Sequence, residues 1–170
     1  MDRLLEKTNR VTRRSAILDR AVARLRDALG DNLVGIVLYG SYARGEARAD
    51  SDIDLLVIAR GLPAQWYDRQ IFLHAPLDTG EDMPTILVLG KTPTEFEEQF
   101  PSLYLDIGLD GVILYDQGGY TKRKLARIRQ IIQDAGLVRE RLNDHNMFWD
   151  WSRAFTRRWE IGWEGFRELV

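Results

Sequence analysis

Apolar residues recur every three or four positions between Ser15 and Leu29 (Ile17, Leu18, Ala21, Val22, Leu25 and Leu29), with arginines between them, which predicts a helix buried along one side. Gly30 follows as a C-terminal stop. The run Leu33-Val-Gly-Ile-Val-Leu-Tyr39 predicts a buried strand, and it leads directly into a Gly-Ser turn. Ile53-Asp-Leu-Leu-Val-Ile58 predicts a second strand, closed by Gly61 and Pro63, and residues 63–75 read as helical. Ile86–Leu89 is the third strand. After it, Thr92-Pro93-Thr94-Glu95 has the form of a capping box with proline in the first turn, opening a short helix that ends near Phe100. A helical turn over Leu103–Leu109 leads to a fourth strand at Val112–Tyr115. A helix from about Thr121 to Ala135 presents Leu125, Ile128, Ile132 and Ala135 on one face. Helices and strands therefore alternate, as in α/β or α+β domains, and a helical tail follows.

Residues 137–170 carry the densest aromatic cluster: Trp149, Trp151, Phe155, Trp159, Trp163 and Phe166. The four-residue steps from Trp151 to Phe155, Trp159 and Trp163 predict one face of a helix. Such a face suits burial against the core or across a homodimer. Interleaved arginines leave base stacking open, although acidic residues in the same stretch oppose it, and a groove on a partner protein is the third alternative. Residues 117–170 hold 11 basic and 7 acidic side chains, and residues 1–116 hold 13 and 19. That asymmetry divides the chain into an acidic domain over 1–116 and a basic C-terminal segment over 117–170, packed on the core or on a partner.

With 170 residues the chain suits one domain plus a tail, and 45% hydrophobic content provides a core. A formal charge of −2 argues against nucleic acid as a partner. The absence of cysteine excludes disulfides, thiolate metal sites and cysteine nucleophiles. The charged start MDRLLEKTNRVTRR lacks the apolar core of a signal peptide, and no apolar run is long enough to span a bilayer. A cytoplasmic location without membrane association is expected.

The chemistry concentrates in Gly40-Ser41-Tyr42-Ala43-Arg44-Gly45 and Ser51-Asp52-Ile53-Asp54-Leu55. Glycine lets the backbone approach a ligand closely, and amides at a helix start favour phosphate. Ser41 adds a hydroxyl donor, and Arg44 is placed to reach a phosphate or an aspartate. Asp52 and Asp54 alternate with Ile53, so both carboxylates point to one side of a strand. Two carboxylates side by side repel, and Mg²⁺ with phosphate oxygens compensates them. Ten residues, 42 to 51, separate Ser41 from Asp52. A phosphate cradle beside paired carboxylates is apparatus for phosphoryl or nucleotidyl transfer. Ser51 reads as a turn cap and Tyr42 as either a pocket or a packing residue. His74 and His145 lie far apart in sequence without a metal-binding cluster.

Leu38-Tyr39-Gly40-Ser41, the continuation Ala43-Arg44-Gly45, and Asp52-Ile53-Asp54-Leu55 resemble the signature of the DNA polymerase β-type nucleotidyltransferase superfamily, in particular its minimal prokaryotic members, over about residues 15–116. The resemblance implies a small mixed sheet flanked by helices. It implies Gly40, Ser41 and Arg44 around a triphosphate, with ATP as the expected donor, and Asp52 and Asp54 as catalytic ligands of two Mg²⁺. A nucleoside monophosphate would pass to a hydroxyl of a small molecule or protein. A homodimer or a small helical partner protein would complete the acceptor pocket.

Active members usually carry a third acidic residue on a neighbouring strand, and here that position falls on Thr85 in Met83-Pro84-Thr85-Ile86-Leu87-Val88-Leu89. Three readings follow: Asp82 or Glu81 supplies the charge from the loop, the acceptor's surroundings substitute for the base, or the protein binds nucleotide and metal as an interaction module with little or no transfer.

Overall fold

The apolar run Leu33–Tyr39 forms strand β1 at the heart of a four-stranded sheet, with β2 (Ile53–Ala59) and β4 (Val112–Asp116) on either side and β3 (Ile86–Lys91) beyond β2. β1 is antiparallel to both of its neighbours and β2 is parallel to β3, so the sheet is mixed. This computed structural model describes residues 2–48, 50–77, 84–142, 147–152 and 159–168.

Helices cover both faces. Helix α1 (Asp2–Leu29) and α3 (Trp66–His74) lie over one side, where Leu25 and Leu73 pack with Ile36, Ile53, Leu55 and Val57. Helices α4 (Pro93–Glu98), α5 (Leu103–Asp110) and α6 (Tyr120–Ala135) cover the other, where Phe96, Tyr104, Ile107, Leu125 and Ile128 meet Val37, Leu56 and Ile58. Each Leu or Ile buried this way contributes roughly 1.5–3 kcal/mol, so both layers are firmly held. The capping box is present: Thr92 Oγ1 accepts from the Glu95 amide at 3.2 Å, and the Glu95 carboxylate accepts from the Thr92 amide at 2.9 Å. No helix among the described residues is long and apolar enough to cross a membrane.

Two expectations change. Helix α1 begins at Asp2 rather than near Ser15, since no glycine or proline interrupts residues 2–14. The expected C-terminal helix is α6, but the described part of the aromatic segment beyond it is not helical. It forms two antiparallel hairpins: β5 (Leu137–Arg141) with β6 (Met147–Trp151), and β7 (Trp159–Gly162) with β8 (Gly165–Glu168). Trp149-Asp150-Trp151 alternates with period two, and Gly162 and Gly165 bracket a tight turn, so strand patterning prevails over four-residue spacing. Phe155 lies outside the described residues.

Candidate functional site

β1 ends at Tyr39 opposite Asp54, so the antiparallel register delivers that carboxylate to the turn that follows β1. Gly40 turns the chain there with φ +71°, a left-handed conformation that suits glycine. A Cβ at position 40 would lie 2.2 Å from Asp54 Oδ2, so the glycine is required twice, for its conformation and for the space it leaves. Helix α2 (Gly40–Ala43) is a single turn, closed by Arg44 N–H donating to the Gly40 carbonyl at 3.3 Å and Glu46 N–H to the Ser41 carbonyl at 2.9 Å. Arg44 thus caps the C-terminal end of α2. The dipole of so short a helix is small, and the amides of its first turn matter more.

Burial first, and the charge of Asp52 second, hold the Asp54 carboxyl above its ordinary range, with Arg44 opposing them. Tyr39 is pushed up to about 12 by burial and by Asp54. The Arg44 guanidinium donates from Nε to Glu46 Oε2 at 2.8 Å and lies 3.6 Å from Asp110. Hydrogen bonds from Arg44 and Arg141 hold the Glu46 carboxyl below its ordinary value. The raised Asp54 marks a position where a cation would relieve repulsion.

A cleft of about 480 Å³ gathers Ser41, Arg44, Asp52 and Asp54. It adds Glu46, Arg48, Asp50 and Arg141, which sequence reasoning missed. The first three follow directly from the Ala43-Arg44-Gly45 motif, so proximity to it was the available signal. Arg141 comes from β5, nearly a hundred positions away, and only the alternation of Leu137, Arg139 and Arg141 hinted at a strand. Ser51 Oγ accepts the Arg48 amide at 2.8 Å, the turn cap expected of it. Tyr42 packs against the α1 side of the core.

The Thr85 carbonyl accepts the Ile53 amide at 2.8 Å, and Asp54 pairs with Leu87, which is 44% exposed. Thr85 and Leu87 share the sheet face of the two aspartates, and both are neutral. Glu81 and Asp82, like His145, lie outside the described residues, and His74 ends α3 away from the cleft lining. Among the described residues no group of three or more His, Asp or Glu is placed to hold a metal. Two carboxylates with an open cleft still fit Mg²⁺, which commonly takes one or two carboxylates and completes its shell with water and substrate phosphates.

A nucleotidyltransferase-domain family profile matches residues 18–137. A candidate protein adenylyltransferase of Methanocaldococcus jannaschii is 37% identical over 123 residues, 69% of this chain and 82% of that protein. The protein adenylyltransferase MntA of Thermococcus cleftensis is 34% identical over 70 residues, 40% of this chain and 69% of its own. Among solved structures, a toxin–antitoxin crystal structure with AMP-PNP superposes with a TM-score of 0.48 at 22% identity, covering 69% of this chain and 87% of that one.

Proposed function

We propose a reaction from one premise: this chain belongs to the nucleotidyltransferase domain family. It moves AMP from ATP to an acceptor hydroxyl and releases pyrophosphate. Adenylate as the moiety, and a protein rather than a small molecule as acceptor, draw support from the two relatives named as protein adenylyltransferases. The open cleft agrees with an acceptor presented by another polypeptide, and ATP as donor agrees with a cytoplasmic setting.

The observation that carries the proposal is the Asp54 carboxylate lying against Gly40 in the cleft that Ser41, Arg44 and Asp52 share. Gly40 and Ser41 receive the triphosphate, with the Ser41 hydroxyl donating to a phosphate oxygen. Arg44 offsets phosphate charge. Asp52 and Asp54 would hold Mg²⁺, which supplies charge neutralisation at the phosphates when bound. The acceptor oxygen bonds to the α-phosphorus as the bridging P–O bond to the β-phosphate breaks, and the hydroxyl proton leaves to water in the open cleft.

Incubation with ATP labelled at the α-phosphate, Mg²⁺ and candidate acceptor proteins tests this. Label should appear on protein with pyrophosphate released, and Asp54→Ala should abolish both. Release unchanged in Asp54→Ala sinks the proposal. The neutral Thr85 and Leu87 beside the aspartates favour a second reading, a nucleotide-binding module without transfer. That reading requires Mg²⁺-dependent ATP binding, lost in Asp54→Ala, with the nucleotide recovered intact.

A further inference from the structure

Strand β5 crosses the domain as a ruler. Its side chains on one face are Leu137, Arg139 and Arg141, spaced about 6.6 Å apart along an extended strand. Leu137 is buried in the core beneath α5 and α6. Arg139 makes a bidentate contact with Asp110, donates to Asp106 at 3.1 Å and lies 5.7 Å from the Trp149 ring centre. Trp149, directly across the hairpin, donates its indole N–H to Asp106 at 3.2 Å. The third side chain, Arg141, then arrives in the cleft of Ser41, Asp52 and Asp54. Two anchors fix where it ends.

In the cleft, Arg141 pairs with Glu46, the same carboxylate that holds Arg44. Three arginines and four carboxylates line the site, so it carries no excess of positive charge for a polyanion. A guanidinium matches phosphate oxygens better than a lone carboxylate competing with water, because phosphate offers more acceptor atoms and more charge. We propose that Arg141 binds the polyphosphate of the incoming nucleotide, and that Glu46 holds Arg141 in the empty site and releases it to the phosphate. This rests on the nucleotidyltransferase reading above and deepens it. The residue lies beyond the family-matched segment 18–137, so the contact belongs to the C-terminal hairpin of this chain.

A simple tether between hairpin and loop would use the same ion pair, but it makes the opposite prediction. If Glu46 and Arg141 only hold the hairpin in place, removing either weakens the site. If Glu46 competes with phosphate for Arg141, Glu46→Gln tightens binding while Arg141→Ala loosens it.

The test is calorimetric titration of the full chain with MgATP and with magnesium tripolyphosphate, with adenosine as the control. Arg141→Ala should weaken both polyphosphates by about tenfold, the scale of a charge-assisted contact, and leave adenosine unchanged. Arg141→Lys should recover part of the loss. Glu46→Gln should tighten both polyphosphates by roughly threefold, and the gain should vanish in the Glu46→Gln/Arg141→Ala double variant. The Arg141 side chain is 46% exposed, so its variants should stay folded, and circular dichroism of each variant is the control. Wild-type affinity in Arg141→Ala, or losses of the same sign in both single variants, overturns the proposal alone. A wild-type chain that binds no nucleoside triphosphate overturns the functional reading and takes this one with it.

Discussion

Asp54 Oδ2 lies 2.2 Å from where a Cβ on Gly40 would stand, so the acid of one strand and the backbone of the preceding turn form one surface. Gly40→Ala must both relax a φ of +71° and displace the carboxylate. We expect a loss of stability on the order of 2 kcal/mol and near-complete loss of AMP transfer. Thermal melts beside transfer assays check it. An alanine variant with unchanged activity would show that the contact has no functional weight.

Asp54 is raised by burial and by Asp52, and the sign of its effect on stability follows. A carboxyl whose folded-state value exceeds its unfolded one binds more protons when folded. It therefore destabilises the fold as pH rises above its unfolded range, provided no cation is present. Asp54→Asn should accordingly keep or raise the melting temperature at neutral pH in a chelator, while cutting transfer by about 10²–10³-fold. Added Mg²⁺ should raise the melting temperature of the wild type and leave that of Asp54→Asn nearly unmoved. A large Mg²⁺ shift in the variant would place the ion elsewhere.

Arg69 ties α3 to α4. Its buried guanidinium donates to both Glu95 oxygens at 2.7 and 2.8 Å, to the Pro63 carbonyl at 2.7 Å and to the Gly90 carbonyl at 3.2 Å. The Arg69 hydrogen bonds, with the Thr92 amide adding to them, hold the Glu95 carboxyl down at about 2. The folded state binds fewer protons here, so the stabilisation is complete above the ordinary value of 4.5 and is lost as pH falls from there towards about 2. Glu95→Gln should cost about 1–2 kcal/mol at neutral pH, limited by the partial exposure of Glu95, with the gap to wild type closing below pH 4.5. Melting temperatures across pH 2–7 measure it, and a constant gap would assign the cost to the helix cap alone.

The core of the fold was legible because its signals are local. Apolar runs such as Leu33–Tyr39 and the Thr92–Glu95 capping box determine their own conformation through contacts within a few residues. The meeting of the Gly40-Ser41 turn with the strand of Asp52 and Asp54 was legible too, since a glycine after an apolar run and alternating acids on the next strand are local signals. The tail was not. Trp151, Trp159 and Trp163 fit a helical step, but Trp151 and Trp163 pack against the α5–α6 layer, with the Trp163 indole donating to the Phe96 and Gln99 carbonyls. Those partners are more than sixty residues away, so no local period encodes them. Arg141 was hidden for the same reason: its place depends on Leu137 and Arg139 finding a core that the rest of the chain builds.

Thr85 bears on the rate of the reaction. Ile53 pairs with Ile86 in parallel register, which sets position 85 beside Asp52 on the shared face and position 87 beside Asp54. A threonine hydroxyl does not take a proton from an acceptor at neutral pH, whereas a carboxylate there does. Thr85→Asp should raise single-turnover transfer by about 100-fold, the low end of general-base catalysis, and should steepen its dependence on Mg²⁺. The same substitution adds a negative charge beside Asp52 and Asp54, which already repel, so the melting temperature in chelator should fall and recover with Mg²⁺. Leu87→Asp puts the charge against the half-buried Asp54 and should lower stability more. If Thr85→Asp leaves the transfer rate unchanged while Mg²⁺ affinity rises, an acid at this strand position is a metal ligand only, and the proton must leave by another path.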